Sequence, residues 1–158
     1  KYSIGYTSKG KFEYRIIVPS FDLNGKLNYF IARSWVKRKM KYKNPSVPKD
    51  DIIFNENLID WKKDIYICEG VFDSFFFENS VVLLGKKISD KLFTTIYEKS
   101  EGNIHIVLDG DAWEDAVKLY HELNGGRLYN KIKIYKLPKT KDAGDLRGDI
   151  LKYHFIIK

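Results

Sequence analysis

Residues 104–111 read IHIVLDGD, a short apolar run that ends in two aspartates one residue apart, Asp109 and Asp111. A run this short, rich in β-branched residues, predicts a buried strand. From Ala112 to Leu123 apolar residues recur every three or four positions, which predicts a helix. The two aspartates therefore lie where a strand passes into a helix, and in α/β sheets ligands bind at that edge.

The spacing of the two carboxylates favours a shared ligand. Residues two apart in an extended chain point the same way, so Asp109 and Asp111 can face one point. Like charges this close repel each other unless a cation lies between them or one takes up a proton. Mg²⁺, which proteins bind through carboxylates and waters, fits this pattern. Helix capping is the alternative, because Asp is a common N-cap and acids in a first helical turn are favourable.

Strands alternate with helices from Asp64 onward. Apolar runs at 65–68, 81–84 and 131–135 predict three further strands. Helices are expected over 72–78, from Ser89 to about Tyr97, and after Asp111, with a final helix or extended tail. This alternation predicts βαβ units and an α/β fold with a mostly parallel sheet flanked by helices.

Further acids follow these strands. Glu69 comes after the first strand, Asp73 lies four residues later, and Asp142 and Asp145 lie in the polar loop after the last strand. The carboxyl ends of parallel strands share one edge, so we expect these acids to converge with the aspartate pair. Acids gathered at one edge repel each other, whereas one or two divalent cations would make them a phosphoryl-transfer site. Convergence therefore favours a metal site over capping.

The N-terminal part of the chain is basic. Residues 1–63 hold 14 Lys and Arg against 6 Asp and Glu, whereas residues 64–158 hold 14 against 15. Strands are expected at 13–19 and 27–31, and Asn24-Gly25 between them is a strong β-hairpin signal. Residues 33–45 then combine six cations with Trp35 and Tyr42. Such a segment suits phosphate and base contacts, although composition alone leaves an ordinary exposed loop equally open.

Composition sets the wider limits. The chain has 158 residues, enough for one core and an appendage. No apolar run approaches the roughly 20 residues of a membrane helix, and no signal peptide is recognised. The single Cys68 cannot form an internal disulfide, which fits a cytoplasmic protein. Because the sequence begins at Lys1, we expect a fragment of a longer protein.

The acidic motifs resemble a known domain. Glu69-Gly70-Val71-Phe72-Asp73 and Asp109-Gly110-Asp111, each after a strand, resemble the signature of the TOPRIM domain of bacterial-type primases, topoisomerases of types IA and II, and certain nucleases. The upstream segments 15–19, 22–26, 30–33 and 41–45 resemble, in order and spacing, the region that precedes TOPRIM in bacterial and phage DNA primases. Lys141-Asp142 resembles the third acidic motif of primases, so the resemblance spans roughly residues 12–148.

The chain also departs from the primase pattern. Ala143 and Gly144 stand where a Pro and a further acid are expected, and Ala112-Trp113-Glu114 replaces the usual small residues after the aspartate pair. A zinc-binding module and a helicase-contacting domain are absent from this chain. These departures suggest a version from a phage or a mobile element.

The resemblance implies an architecture and a function. We expect a basic α+β segment of the primase core with a β-hairpin at 1–63, a TOPRIM-like α/β domain at 64–146, and a C-terminal helix or tail at 147–158. The implied function is a DNA primase core, a nucleotidyltransferase that makes short RNA primers on single-stranded DNA. The implied partners are the DNA template, ribonucleoside triphosphates and a replicative helicase bound through domains absent here, with no membrane involved.

The resemblance also implies roles for particular residues. Two Mg²⁺ or Mn²⁺ ions are expected on Asp73, Asp109 and Asp111, with Asp142 or Asp145 completing the site. Glu69 joins Asp109 and Asp111 as a catalytic residue, either as a ligand or in proton transfer. The residues expected to contact nucleic acid or nucleotide are Arg33, Lys41, Tyr42 and Lys43.

Two other functional classes remain open. A TOPRIM-type nuclease would use the same metals to let water attack a phosphodiester, and a non-catalytic DNA-binding module would use the acids only for structure. Zinc is not expected, because His121 and His154 lack nearby ligands. His105 is expected in the core, and the Phe75–Phe77 run in the core or an interface.

Overall fold

The computed structural model describes residues 2–146 and 149–157 of the chain. It divides into two compact units, residues 1–58 and 59–158. The boundaries expected at 63/64 and 146/147 stay a prediction, and Arg147 and Gly148, which begin the expected C-terminal segment, lie outside the described residues.

The first unit is built on a three-stranded antiparallel sheet. Its strands are β1 (Gly5–Thr7), β2 (Arg15–Phe21) and β3 (Leu27–Ser34), in the order β1-β2-β3. The predicted hairpin is confirmed between β2 and β3, where Gly25 adopts a φ of 74° that favours glycine. The strand β1 was not expected. The unit also contains a 3₁₀ turn at Glu56–Leu58.

The second unit is built on a five-stranded sheet. The strands are β4 (Ile65–Cys68), β5 (Ser80–Val82), β6 (Ile104–Val107), β7 (Ile132–Tyr135) and β8 (His154–Phe155). They lie in the order β5-β4-β6-β7-β8, and only β8 runs antiparallel to its neighbour. The mostly parallel sheet is therefore confirmed, and the tail expected at the C-terminus forms a 3₁₀ turn at Asp149–Tyr153 followed by β8.

Helices connect the parallel strands. They are α1 (Val71–Ser74), α2 (Asp90–Lys99) and α3 (Trp113–Leu123). The predicted N-cap of α2 is confirmed, because the Ser89 hydroxyl accepts a hydrogen bond from the Leu92 N–H at 3.3 Å. The helix α1 is shorter than the expected 72–78. Phe77, beyond its end, instead stacks on Tyr66 of β4 with ring centroids 4.5 Å apart.

The core of the second unit lies around the central strands. All four residues of β6 are buried, as expected for a parallel strand covered on both faces. His105 is among them, 4% exposed, which confirms it as a core residue. Among the described residues, no helix combines the length and apolarity needed to cross a membrane.

Candidate active site at the carboxyl edge of the parallel sheet

The aspartate pair forms a tight turn between β6 and α3. Asp109 precedes a 3₁₀ turn at Gly110–Ala112, and its carbonyl oxygen accepts a hydrogen bond from the Ala112 N–H at 2.9 Å. The Asp109 side chain makes no capping bond there, and the N-cap position of α3 is Ala112. The capping interpretation therefore does not explain why a carboxylate stands at Asp109.

The loop after β7 lies directly against this turn. The Gly110 N–H donates to the carbonyl oxygen of Lys141 at 2.9 Å. A Cβ atom added at Gly110 would collide with the carbonyl group of Pro138, so the two segments are in close contact. Glycine is required here for close approach of backbone to backbone, and this approach brings Asp142 beside the aspartate pair.

Within that loop, the two predicted acids differ in their surroundings. The Asp142 carboxylate accepts a hydrogen bond from the Asp145 N–H at 2.8 Å. The Asp145 carboxylate is paired with the Lys141 ammonium at 3.7 Å. The negative charge of Asp142 helps raise the pKa of Asp109. Of the two loop acids, Asp142 is therefore the one whose charge acts on Asp109.

The other two predicted acids are Glu69, in the turn between β4 and α1, and Asp73, within α1. Asp73 folds back over this turn, because a Cβ atom at Gly70 would lie 2.5 Å from the Asp73 Oδ2 atom. Burial raises the pKa of the Cys68 thiol well above its usual value, and the charges of Asp73 and Asp109 add to the rise. Asp73 and Asp109 therefore both lie near the carboxyl end of β4.

The electrostatics of the edge show acids that repel one another. Burial raises the pKa of Glu69, and the charges of Asp109, Asp111 and Asp115 raise it further, while Lys86 opposes them. Burial also raises the pKa of Asp109, with added contributions from Asp142 and Asp111. Each carboxylate makes ionisation of its neighbours more costly, which is the condition that a divalent cation relieves.

The acids fit Mg²⁺ or Mn²⁺ by their chemistry. The structure gathers Glu69, Asp73, Asp109, Asp111 and Asp142 at one edge, and hard cations prefer such carboxylate oxygens. Across residues 2–146 and 149–157, no three Asp, Glu, His or Cys side chains already stand close enough to hold a metal ion. The chemistry of this donor set therefore suits a hard divalent cation.

Two residues of the site were missed from the sequence. Asp115 and Lys86 line a cleft of about 130 Å³ together with Glu69 and Asp111. Asp115 lies four residues after Asp111, a spacing that places two helical residues on one face. Lys86 follows β5 at the same edge as the acids. Both signals were available in the sequence.

The predicted nucleic-acid residues lie in the first unit, at the end of β3 and in the segment that follows. Arg33 forms an isolated antiparallel bridge with Tyr42, and its guanidinium lies 5.8 Å from the Tyr42 ring centroid. The Lys41 ammonium lies 5.9 Å from the same ring. The Lys43 ammonium donates to the carbonyl oxygen of Lys11 at 3.0 Å. Arg33, Lys41 and Tyr42 thus form one cluster of cations around an exposed ring.

A buried arginine fixes this cluster. Arg15 in β2 is 3% exposed. Its guanidinium donates to the carbonyl oxygens of Ala32 at 3.2 Å, Lys41 at 2.9 Å and Met40 at 2.9 Å. Its charge-assisted bonds hold residues 40 and 41 against β3. No local sequence pattern indicates that Arg15 holds this segment in place.

Comparison of the sequence with protein families and with curated proteins finds no match. Solved structures do match. The zinc-binding and RNA polymerase domains of the Aquifex aeolicus primase align with a TM-score of 0.67 and 21% identity, over 89% of this chain and 38% of that chain. This chain has the fold of a primase catalytic core.

Two further structures extend this primase-core likeness. The DnaG primase catalytic domain bound to single-stranded DNA aligns with a TM-score of 0.70 and 20% identity, over 90% of this chain and 52% of that chain. The primase fragment of the bacteriophage T7 primase-helicase protein aligns at 0.66 and 20%, over 94% and 64%. The primase resemblance is confirmed at the level of fold, and the chain spans only part of each of these relatives.

Proposed function

We propose that this chain is the catalytic core of a DNA primase, which makes short RNA primers on a single-stranded DNA template by metal-dependent nucleotidyl transfer. The observation that supports it is a primase-core fold whose carboxyl edge gathers mutually repelling acids at Glu69, Asp109, Asp111 and Asp142. Capping does not account for Asp109, whose side chain makes no capping bond.

The reaction joins a primer 3′-oxygen to the α-phosphorus of a ribonucleoside triphosphate, and pyrophosphate leaves. Two Mg²⁺ or Mn²⁺ ions would be held by Asp73, Asp109 and Asp111, together with Asp142. Asp145 is the alternative to Asp142, and it ranks second because Lys141 already pairs with it. Bound ions supply Lewis-acid polarisation of the phosphate and charge stabilisation at the attacking and leaving oxygens. The chain's own acids would position the ions and balance their positive charge. The partial burial of these acids strengthens the electrostatic interaction with the ions.

Glu69 is proposed as a catalytic residue of this edge. Burial and the neighbouring acids raise its pKa, so it holds a proton more readily than a free glutamate does. Its carboxylate lines the cleft with Asp111, close to where the reacting oxygens would bind. This position suits proton transfer as well as metal ligation.

Arg33, Lys41 and Lys43 are proposed to contact phosphates of the template or the nucleotide, and Tyr42 to contact a base. Cations clustered at an exposed aromatic ring are the usual composition of a single-strand binding surface. One structural neighbour is bound to single-stranded DNA, and another is part of a primase-helicase protein. These two neighbours support the proposals that this chain binds a DNA template and works with a replicative helicase. The proposed setting is the cytoplasm of a bacterium or phage replication.

The test is RNA synthesis followed on a gel. Single-stranded DNA with a pre-annealed short RNA is incubated with Mg²⁺ or Mn²⁺, with and without labelled ribonucleotides. The RNA primer removes the need for initiation, so the assay reports nucleotidyl transfer alone. Extended RNA that is lost in Asp109→Ala and retained in Glu98→Ala, which removes an exposed acid of α2, is the expected result.

Two outcomes would overturn the proposal. Shortened DNA in the reaction without nucleotides would identify a metal-dependent nuclease instead. No extension and no cleavage by folded protein would identify a binding module without this activity.

A further inference from the structure

The structure holds a lysine between two aromatic rings beside the candidate active site. The Lys136 ammonium lies 5.1 Å from the Trp113 ring centroid and 5.6 Å from that of Phe155. The two rings contact each other edge to face, with centroids 5.1 Å apart and an interplanar angle of 76°. Both rings thus attract the same ammonium group through their electron-rich faces.

Three separate elements build this cluster. Lys136 directly follows β7, and its N–H donates to the carbonyl oxygen of Tyr153 at 2.9 Å. The pairing of β8 with β7 sets Phe155 opposite Ile134. Trp113 is the first residue of α3, directly after the aspartate turn. The cluster therefore depends on the folded sheet, and no local sequence pattern indicates it.

The cluster opens onto a cleft that reaches Asp111. This cleft, about 540 Å³, is lined by Asp111, Trp113, Lys136 and Lys139 among others. Both lysines are exposed. Within the described parts of the chain, no carboxylate lies within ion-pairing distance of either ammonium. The positive charge at this edge is thus available to a ligand.

A lysine held in this way is suited to bind an anion. A free lysine side chain samples many rotamers, and ordering it on binding costs entropy. The contacts of Lys136 with two rings limit that freedom before any ligand arrives. An ammonium group acts on phosphate as a point charge with several donors. Lys136 lines the same cleft as Asp111, where a phosphorylated substrate would approach the acids.

We propose that Lys136, held by Trp113 and Phe155 and assisted by Lys139, binds a phosphate group of the substrate in the cleft beside Asp111. The inference rests on the proposed function, which supplies the substrate class. The phosphate belongs either to the backbone of the nucleic-acid strand or to the triphosphate of the incoming nucleotide. Both sources share the chemistry that the site recognises.

Binding measurements on two probes test the proposal and separate the sources. The first probe is a labelled thymidine oligonucleotide without nucleotide, titrated at several salt concentrations. The second is a fluorescent ATP analogue with Mg²⁺ and without DNA. Lys136→Gln is expected to weaken binding of one probe by about tenfold, as for loss of a charge-assisted contact. If the strand supplies the phosphate, the slope of log K against log salt concentration also falls by about 0.7.

Matched variants exclude a merely structural role. Lys136→Arg keeps the charge and is expected to restore most of the affinity. Lys62→Gln removes an exposed lysine that precedes β4, at the opposite edge of the sheet, and is expected to change neither affinity. Trp113→Leu keeps an apolar side chain but removes the ring, and a loss of a few-fold is expected because Lys136 is no longer held.

The outcomes are distinct from those for the proposed function. Unchanged affinity for both probes in folded Lys136→Gln, or an equal loss in Lys62→Gln, would overturn the inference. A protein that extends no RNA, yet loses probe binding specifically in Lys136→Gln, would refute the catalytic proposal and retain the phosphate site.

Discussion

The backbone N–H of Gly110 donates to the carbonyl oxygen of Lys141 at 2.9 Å, which fixes the aspartate turn to the loop that carries Asp142. The loop is closed on itself, because the Lys141 N–H donates to the carbonyl oxygen of Pro138 at 2.8 Å. Two acidic segments that are distant in sequence therefore occupy fixed positions relative to each other. A rigid spacing of this kind is what a metal-dependent site requires of its ligands.

Gly110→Ala should disrupt this contact. The added Cβ atom would collide with the Pro138 carbonyl group, so the loop must move and Asp142 must move with it. We expect a loss of about 1–3 kcal/mol in the free energy of unfolding and a fall of more than about tenfold in primer extension. Urea denaturation and the extension gel measure the two effects.

The matched control is Gly125→Ala, just beyond α3. Gly125 has an extended φ of −154°, and a Cβ atom there would meet no atom within 4 Å. This variant should keep both stability and activity. If Gly110→Ala behaved like Gly125→Ala, the close contact would have no consequence for the site.

Asp109→Asn should stabilise the metal-free protein while it removes function. Burial and the charges of Asp142 and Asp111 raise the pKa of Asp109, so removal of its charge relieves repulsion. We expect a gain of about 1 kcal/mol without metal, a size typical of stabilising changes at functional sites. The wild-type protein should be stabilised by added Mn²⁺, because ions that bind only the folded state raise its stability. The variant should lose that response.

Thermal denaturation with and without Mn²⁺ makes the measurement, and Glu98→Gln is the control for the loss of one exposed charge. An equal Mn²⁺ response in Asp109→Asn and the wild type would show that the ion binds elsewhere.

The two acids of the loop should differ in importance. Asp142 acts on Asp109, whereas Asp145 is paired with Lys141. Asp142→Asn is therefore expected to raise the Mn²⁺ concentration needed for half-maximal extension by more than about tenfold. Asp145→Asn is expected to raise it less. Mn²⁺ titrations of the extension rate compare the two variants directly. A larger effect of Asp145→Asn would mean that this residue is the ligand in place of Asp142.

The alternation of strands and helices in the second unit could be predicted because the signals are local. Each of β4 to β7 is a short apolar run, and the acids stand directly after β4 and β6. Parallel strands must share an edge, so local pattern sufficed to predict convergence of Glu69, Asp109 and Asp111. From the sequence, this convergence already favoured a metal site over capping, and the Asp109 side chain, which makes no capping bond, agrees with that prediction.

Elements that depend on pairing rather than on their own sequence were missed. The strand β1 is mostly exposed and exists through its pairing with β2, and β8 is a pair of residues at the edge of β7. The end of α1 is set by the packing of Phe77 on Tyr66, where tertiary contact overrides helical pattern. The cluster at Lys136 depends on β8, so it could not be predicted from the sequence either.

Arg15→Lys should loosen the segment proposed to bind nucleic acid. A lysine cannot reproduce the three hydrogen bonds that Arg15 donates to carbonyl oxygens of Ala32, Lys41 and Met40. We expect a loss of about 2 kcal/mol in the free energy of unfolding, because buried acceptors lose their donors. Oligonucleotide binding should weaken several-fold, since Lys41 and Tyr42 are no longer fixed. Fluorescence anisotropy and urea denaturation measure these effects.

The control for that variant is Arg38→Lys. Arg38 pairs with Glu13 at 3.0 Å on the surface, and such pairs contribute less than about 1 kcal/mol. Equal losses in both variants would contradict a special role for Arg15.

A buried histidine should make stability depend on pH. The His105 ring contacts Asp64 Oδ2 at 3.0 Å and the Tyr135 hydroxyl at 2.8 Å. Burial lowers the pKa of His105 below its usual 6.5, which outweighs the opposing effect of Asp64. Below pH 6.5 the unfolded chain therefore binds a proton that the folded chain resists. The free energy of unfolding should fall as the pH drops from 6.5 toward the lower pKa of the folded protein, and this group should contribute no pH dependence above that window.

Urea denaturation at a series of pH values between 8 and 5.5 measures this dependence, in a range above the titration of most carboxylates. His105→Phe, which keeps an aromatic ring between Tyr66 and Tyr135, should show a flatter curve below pH 6.5 even though it loses stability overall. His121→Ala removes an exposed histidine and should keep the wild-type curve. A wild-type curve in His105→Phe would assign the pH dependence to other groups, because no titratable ring would remain at that position to produce it.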